Sequence, residues 1–432
     1  MTYNIVHREG VDALFYRNNE GIDFISPATQ DSLKNSGNPL WRPTFSSRCP
    51  HLPMWDRPDM FREITYHGTR RMNYQLPKVE HPSLVVSPSG ELTLRNTLRS
   101  PSVVVSDREL YHPDVQKVFS VMIQFDTMTE HQLSAFTGIR MERLHEVMLT
   151  LYAAEIVEAP SPAWEYQEKF GTPWRLNPYS ARTTSYLDGM SSLNRMITAG
   201  NIDMTTSAPP GAGSSESIRH NLFSAEIALR VAESSDLVAG VWGDLFASEN
   251  LFHEHRDDAR TRNSHGDAVI VTKDGSIIII EVVGSVMDTG NKFQAIVHKA
   301  ASWVGVISNS LLDISVLFID TSWARDRKNV FNAVDIGVKR ESAAYAPDNV
   351  LRERAQKKIG IVNAAWWFPE DGTMSQAGTR LGGYSPVEQR FKAFDRPDNF
   401  YSTEEHRRNT VLNTVSAMHT PPWMTKKMKD RY

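Results

Sequence analysis

The sequence predicts a multidomain protein of mixed α/β and α+β class, and three observations lead to this prediction. The chain has 432 residues, which at about 150 residues per domain corresponds to about three domains. A helical pattern begins at Asp114 and is followed by two strand-like segments. After a segment rich in Pro, Gly and Ser near residues 209–215, helical and strand patterns alternate. We therefore expect an N-terminal arm (1–112), a helical domain (113–180), a helix and linker (181–218), an α/β core (219–370) and a C-terminal extension (371–432).

Composition restricts the class of protein. Lys and Arg number 47 and Asp and Glu number 51, so the formal charge of −4 excludes a basic coat over the whole surface. A hydrophobic content of 40% is sufficient for a buried core. The single cysteine, Cys49, excludes an intrachain disulfide and a cysteine-based zinc cluster. Because the longest aliphatic run, residues 277–280, is too short to span a bilayer, we expect a cytoplasmic protein that does not associate with membranes.

The N-terminal arm contains one clear strand signal. Residues 84–86 are apolar, residues 91–94 alternate polar and apolar, and the two segments flank a Ser-Pro-Ser-Gly turn, which predicts a β-hairpin. Prolines recur from position 27 onward, so we expect the rest of residues 1–112 to be irregular.

The helical domain is predicted from its apolar spacing and its capping residues. A first helix follows Asp114, and a second is framed by Thr129 as its N-cap and Gly138 at its C-terminus. A third helix begins near Arg140, with an apolar stripe formed by Leu144, Val147, Met148 and Leu151. Residues 156–157 and 173–176 read as a pair of strands that follow these helices.

Three helices followed by a β-wing resemble a winged helix-turn-helix, a fold that commonly reads DNA with its third helix in the major groove. That resemblance makes Arg140 and Arg143 candidate DNA-binding residues. Between Arg140 and Glu155, however, two arginines face three glutamates, which weakens attraction to phosphate. A role in dimerisation or internal packing is therefore an equal alternative.

The α/β core supplies a pair of carboxylates. Asp267 precedes one predicted strand (266–272), and Glu281 lies in the next (276–283), with a hairpin turn at 273–275 between them. Since side chains alternate along a strand, both acids can converge on one face if the register allows it. Two carboxylates are suitable ligands for Mg²⁺ or Mn²⁺. The simpler alternatives are that Asp267 ends a turn and that Glu281 is a charge on an edge strand.

Further charged residues surround this pair in the sequence. Glu226 falls within the apolar stripe of a helix at 220–233, so its carboxylate should meet a cation, a metal or hydrogen-bond donors. Three arginines precede the Asp267 strand and are candidates for binding phosphate groups: Arg256, Arg260 and Arg262. The alternative is that they lie in a solvated loop.

The order of these residues resembles the PD-(D/E)xK nuclease superfamily, whose core is αβββαβ. The resemblance rests on Glu226 in a helix, Asp267 and Glu281 on strands, and a following helix in which Gln294 and His298 are similar to a QxxxY element. With the upstream winged helix, residues 115–320 also resemble the replication-relaxation family of plasmid and mobile-element proteins. This resemblance implies a Mg²⁺-dependent endonuclease acting in plasmid or phage DNA replication, relaxation or processing, with DNA and replication or mobilisation proteins as partners. The implied catalytic residues are Glu226, Asp267, Glu281, Gln294 and Lys299, with Asp267 and Glu281 as metal ligands.

One position departs from the superfamily pattern. Val283 stands where the superfamily has lysine, two residues after Glu281. Two interpretations stay open. Either Lys299 or Lys292 of the following helix replaces the missing ammonium group, or the domain has lost catalysis, needs no metal, and serves as an adaptor or structural protein that binds DNA or a protein.

Overall fold

The computed structural model describes residues 5–24, 73–96, 112–177, 215–321, 327–367 and 381–393; within these ranges, residues 253–264 and several shorter stretches are not described. The chain divides into two compact units. The helical unit comprises residues 48–60, 68–229 and 411–432, and the sheet unit comprises residues 1–47, 61–67 and 230–410. Among the described helices, none has the length and apolar character of a membrane span.

The N-terminal segment contains more regular structure than its sequence predicts. Strands β1 (Ile5–Arg8), β2 (Val11–Asn18) and β3 (Gly21–Phe24) form a three-stranded antiparallel sheet. The prediction of an irregular arm is therefore wrong for residues 5–24, because the prolines on which it relied begin only at position 27. After β4 (Asn73–Gln75), strands β5 (Pro82–Val86) and β6 (Leu92–Asn96) pair antiparallel, as the predicted hairpin requires.

The helical unit contains three consecutive helices. They are α1 (Pro113–Phe125), α2 (Glu130–Thr137) and α3 (Met141–Ala153), with the short strand β7 (Thr127–Thr129) between the first two. The helix α2 begins with a capping box, in which Thr129 and Gln132 each accept a hydrogen bond from the backbone N–H of the other. Gly138 ends it with φ of 69°. Both caps are those predicted from the sequence.

A small sheet completes this unit. Strands β8 (Val157–Ser161) and β9 (Pro173–Leu176) pair antiparallel, and the sheet has the order β4-β8-β9-β7. All four residues of the predicted α3 stripe are buried, as are Phe119, Phe136 and Trp174. Burial of large aromatic side chains is the main source of stability in a unit of this size.

The sheet unit is built on a seven-stranded mixed sheet. The division between the two units falls within the helix α4 (Ser215–Ser234). Three strands follow this helix: β10 (Val238–Gly243), β11 (Ala268–Thr272) and β12 (Ile277–Val283). These three strands are antiparallel neighbours. The helix α5 (Asn291–Asn309) then leads to β13 (Ile314–Asp320), which pairs parallel with β12. A crossover helix is what a parallel connection of this kind requires.

The remaining elements extend the same sheet. Helices α6 (Arg327–Lys339) and α7 (Asn349–Gln356) precede β14 (Ile359–Asn363), which is parallel to β13. A short helix α8 (Ala364–Trp367) follows, and then the antiparallel strands β15 (Gly382–Ser385) and β16 (Arg390–Ala393). The sheet has the order β10 to β16. Strands β11 to β14 are buried on both faces, so their sequences are almost continuously apolar.

Two boundaries and one strand differ from the prediction. The strand predicted over 359–368 ends at Asn363, where α8 begins. The predicted end of the core at residue 370 is wrong, because β15 and β16 belong to the same sheet. Strand β10 is absent from the residue-level prediction, because it contains two glycines that weaken its strand signal. The helices predicted at 182–199 and 403–418 lie outside the described residues.

A close helix crossing sets the position of α5. A Cβ atom at Gly337 of α6 would lie 2.4 Å from the carbonyl oxygen of Val297 and 2.7 Å from the Cβ of Ala300. Because these are separations that real Cβ atoms do not reach, only glycine permits the two helix backbones to approach so closely.

We expect Gly337→Ala to lower the free energy of unfolding by about 2 kcal/mol, since overpacking outweighs the better helix propensity of alanine. Urea unfolding would measure this loss. Gly284→Ala is the matched control, because a Cβ there meets no atom within 4 Å. Equal stability of the two variants would contradict the close crossing.

Candidate active site

Backbone contacts at the start of β11 place Asp267 beside Glu281. Strands β11 and β12 pair with Ala268 opposite Ile280, and Asp267 comes one residue before this pair. The backbone N–H of Asp267 donates to the carbonyl of Ile280 at 2.8 Å, and its Oδ2 accepts a hydrogen bond from the backbone N–H of Val282 at 2.5 Å. Asp267 is therefore bonded to the residues on both sides of Glu281, and its charge raises the pKa of Glu281.

The carboxylate of Glu281 is buried and bonded on both oxygens. Its side chain is 1% exposed. The ammonium nitrogen of Lys299 lies 2.5 Å from Oε2, and the indole N–H of Trp303 donates to Oε1 at 2.5 Å. Lys299 and Trp303 are four residues apart in α5, so they project from one side of that helix onto the strand. Lys299 is thus the lysine that pairs with the strand glutamate.

These neighbours perturb the ionisation of the cluster. Burial raises the pKa of Glu281 to about 8, and the charge of Asp267 acts in the same direction, whereas Lys299 opposes both. Burial alone would lower the pKa of Lys299, but the charges of Glu281 and Asp267 outweigh it, so that pKa is raised. Lys299 is the cation that compensates the charges of these two carboxylates.

A third acid, Glu249, lies near Lys299. It lies six residues after β10 and is 1% exposed. Its Oε2 accepts a hydrogen bond from the hydroxyl of Ser302 at 2.7 Å, and its charge also raises the pKa of Lys299. No residue pattern in the loop before Asp267 distinguishes Glu249, so the sequence prediction missed it. The sequence did contain a signal for Trp303, because a buried indole N–H normally requires a hydrogen-bond acceptor.

Glu226 and Gln294, predicted as site residues, have other surroundings. Glu226 is fully buried, as expected, but it lies in the helical unit, where its Oε2 accepts a hydrogen bond from the side chain of Gln132 at 3.1 Å. Gln294 is exposed on α5, and no hydrogen bond among the described residues joins its side chain to Asp267 or Glu281. Lys292, the alternative lysine, is exposed as well.

The arginines predicted to bind DNA differ in exposure and in their contacts. Arg140 is exposed at the N-cap of α3. The guanidinium of Arg143 instead contacts two carboxylates of its own unit, Asp114 at 3.1 Å and Glu146 at 2.6 Å. Its charge is therefore largely compensated within its own unit. Arg256, Arg260 and Arg262 lie outside the described residues.

The donor set is compatible with a magnesium ion. Among the described residues, no group of three or more His, Cys, Asp or Glu side chains is arranged to hold a metal. Mg²⁺ does not need such a group, because it is commonly held by one or two carboxylates together with water and substrate phosphate. Asp267 and Glu281 provide that number of hard oxygen ligands.

Comparison with known proteins adds no relative: no protein-family model, curated protein or solved structure matches this chain. The functional conclusion therefore depends on the residues and their geometry.

Proposed function

We propose that the sheet unit is a PD-(D/E)xK-like nuclease domain that hydrolyses phosphodiester bonds in DNA with the aid of Mg²⁺ or Mn²⁺. The observation that carries this proposal is the position of Lys299, whose ammonium group contacts Glu281 and whose pKa is raised by the charge of Asp267 as well. Two carboxylates and one ammonium are the charges that this chemistry uses, and here the ammonium comes from a helix instead of position 283.

Each residue has a role in this proposal. Asp267 and Glu281 would hold the metal, which when bound supplies an activated water and stabilises negative charge on the phosphate. Lys299 places a permanent positive charge beside the reacting phosphate group. Trp303 orients the carboxylate of Glu281 by donating to Oε1, and the aliphatic strand around it limits access of bulk water.

The chain order supports the same proposal. Helix α4, strands β10 to β12, helix α5 and strand β13 follow one another as αβββαβ. In the helical unit, the order of α1, β7, α2, α3, β8 and β9 is that of a winged helix. We propose that the winged helix acts on the same DNA, in the replication, relaxation or processing of plasmid, phage or mobile-element DNA.

A non-catalytic role is the second candidate, and a specific observation favours it. Both oxygens of Glu281 already accept from protein donors, and the side chain is almost completely buried. A carboxylate satisfied in this way stabilises the attachment of α5 to the sheet without any metal. In this case the domain is a scaffold for DNA or a protein partner.

A cleavage assay distinguishes the two candidates. The full chain is incubated with supercoiled plasmid and Mg²⁺ or Mn²⁺, and Glu281→Gln is compared with the wild type. We expect the variant to lose cleavage by about 10²-fold or more, since a ligand to the metal is removed. Asp313→Asn, an exposed acid at the opposite end of β13, is the matched control and should cleave normally.

The same assay has two contrary outcomes. Equal cleavage by the wild type and Glu281→Gln would remove the catalytic claim. Wild-type binding of plasmid without cleavage in either metal would support the scaffold instead.

A further inference from the structure

A basic surface lies on the sheet unit although the whole chain is acidic. Residues 339–358 contain six basic and three acidic residues, whereas the chain carries a formal charge of −4. The basic residues lie at the end of α6 and along α7: Lys339, Arg340, Arg352, Arg354, Lys357 and Lys358. A concentration of one charge sign in a protein of opposite net charge is the electrostatic footprint of a polyanion site.

Side-chain contacts join these residues into one surface. The side-chain amide of Gln356 donates to the carbonyl of Val338 at 2.7 Å, which places α7 beside the last turn of α6. The ammonium of Lys392 in β16 donates to the carbonyl of Lys357, so a further cation lies at the end of α7. The surface therefore continues from α6 across α7 to the last strand of the sheet.

The other end of this surface reaches α5. The guanidinium of Arg340 lies 3.4 Å from Nδ1 of His298, which is exposed and immediately precedes Lys299 in the chain. The close crossing at Gly337, three residues before Arg340, holds α6 against α5 at this point. The basic surface therefore reaches the exposed side of α5, the helix that also carries Lys299.

Several of its cations are not compensated locally. Lys339 pairs with Asp335, Lys358 pairs with Asp313, and Lys392 pairs with Glu388. Arg340, Arg352, Arg354 and Lys357 have no ion pair with a carboxylate among the residues that the structure describes. Arg340, Arg354 and Lys357 are exposed, and Arg352 is partly exposed. Like charges this close repel one another, which a polyanion would relieve.

We propose that the basic surface formed by Arg340, Arg352, Arg354, Lys357 and Lys392 binds the phosphate backbone of duplex DNA. Guanidinium groups suit this ligand, because they bind phosphate oxygens in a bidentate manner. Contacts of this type are independent of base sequence, so the surface positions DNA without reading it. Binding at this surface does not depend on the proposed nuclease function.

The test measures binding without cleavage. Fluorescence anisotropy of a short DNA duplex is recorded with the full chain in EDTA over a series of NaCl concentrations. For the variant R352Q/R354Q/K357Q we expect at least about tenfold weaker binding and a salt slope smaller by about 2.7, or 0.9 per lost phosphate contact. The charge-conserving variant R352K/R354K should bind within about threefold of the wild type, since Lys keeps the positive charge that drives backbone binding.

Each outcome decides the proposal. Unchanged affinity and salt slope in the triple variant, with an unchanged melting curve, would overturn it. Loss of binding only in K117Q/R140Q, which removes exposed cations of the helical unit, would assign DNA binding to that unit instead. Wild-type binding to anionic phosphatidylserine vesicles but not to the duplex would also overturn it. Because Glu281→Gln should still bind the duplex, failure of the nuclease proposal is distinguishable from failure of this one.

Discussion

Replacing Lys299 with methionine should reduce metal-dependent DNA cleavage by about 10²–10³-fold, the usual cost of removing one group that stabilises charge in a transition state. The reason is geometric, since Lys299 is the described ammonium group that contacts Glu281 at 2.5 Å. Methionine keeps most of the side-chain volume, so the packing of α5 is disturbed little. Single-turnover cleavage of plasmid DNA would measure the loss.

The helix supplies a matched control for this variant. Lys292→Met removes an ammonium group from the same helix, two turns earlier, where the side chain is exposed. It should retain wild-type cleavage. Cleavage by Lys299→Met at the Lys292→Met rate would contradict the role given to Lys299. A melting curve is needed as well, because the variant leaves the buried Glu281 without its cation and is expected to be less stable.

Replacing Glu130 with alanine should destabilise the helical unit by about 3–5 kcal/mol, the range for losing one partner of a buried ion pair. The carboxylate of Glu130 is buried. It lies 3.2 Å from Nδ1 of His145 and accepts hydrogen bonds from the indole N–H of Trp174 at 3.0 Å and the backbone N–H of Thr172 at 3.4 Å. All three partners would lose their acceptor. Chemical unfolding monitored by tryptophan fluorescence would measure the loss, with the exposed Glu146→Ala as the control.

This pair also predicts a pH dependence with a definite sign. The contact with Glu130 raises the pKa of His145 above its ordinary value of 6.5. A histidine whose pKa is higher in the folded state contributes stability that is complete below pH 6.5 and is lost as the pH rises through the raised value. The wild type should therefore lose stability with rising pH across this range, and Glu130→Gln should show a weaker dependence. An equal pH dependence in both proteins would contradict the pairing.

The sequence predicted the local features of the helical unit correctly. Thr129 and Gly138 mark the two ends of α2 because a capping side chain and a left-handed glycine act within one helical turn. The burial of the α3 stripe followed from its spacing in the same way. Such signals are contained within a few residues, so they do not require knowledge of the rest of the fold.

The candidate site was predictable only in part. Strand alternation predicted that Asp267 and Glu281 can converge if the register allows it, and the charge of Asp267 does act on Glu281 although Asp267 precedes the regular pairing of β11 with β12. Periodicity also indicated that Glu226 is buried, yet its partner is Gln132, which is 94 residues away in the chain. Burial of a charged residue predicts that a partner exists, but it does not identify that partner.

The sequence by itself determined where the helices of the helical unit begin and end and which strand residues face the same side, because capping and side-chain alternation are short-range effects. The tertiary structure decided which lysine accompanies Glu281, that Glu249 and Trp303 lie near that lysine, and that Gln132 donates to Glu226. It also joined α6, α7 and β16 into one basic surface. These outcomes depend on how α5 and α6 pack on the sheet and on each other, and such packing is the sum of many contacts between residues far apart in the chain.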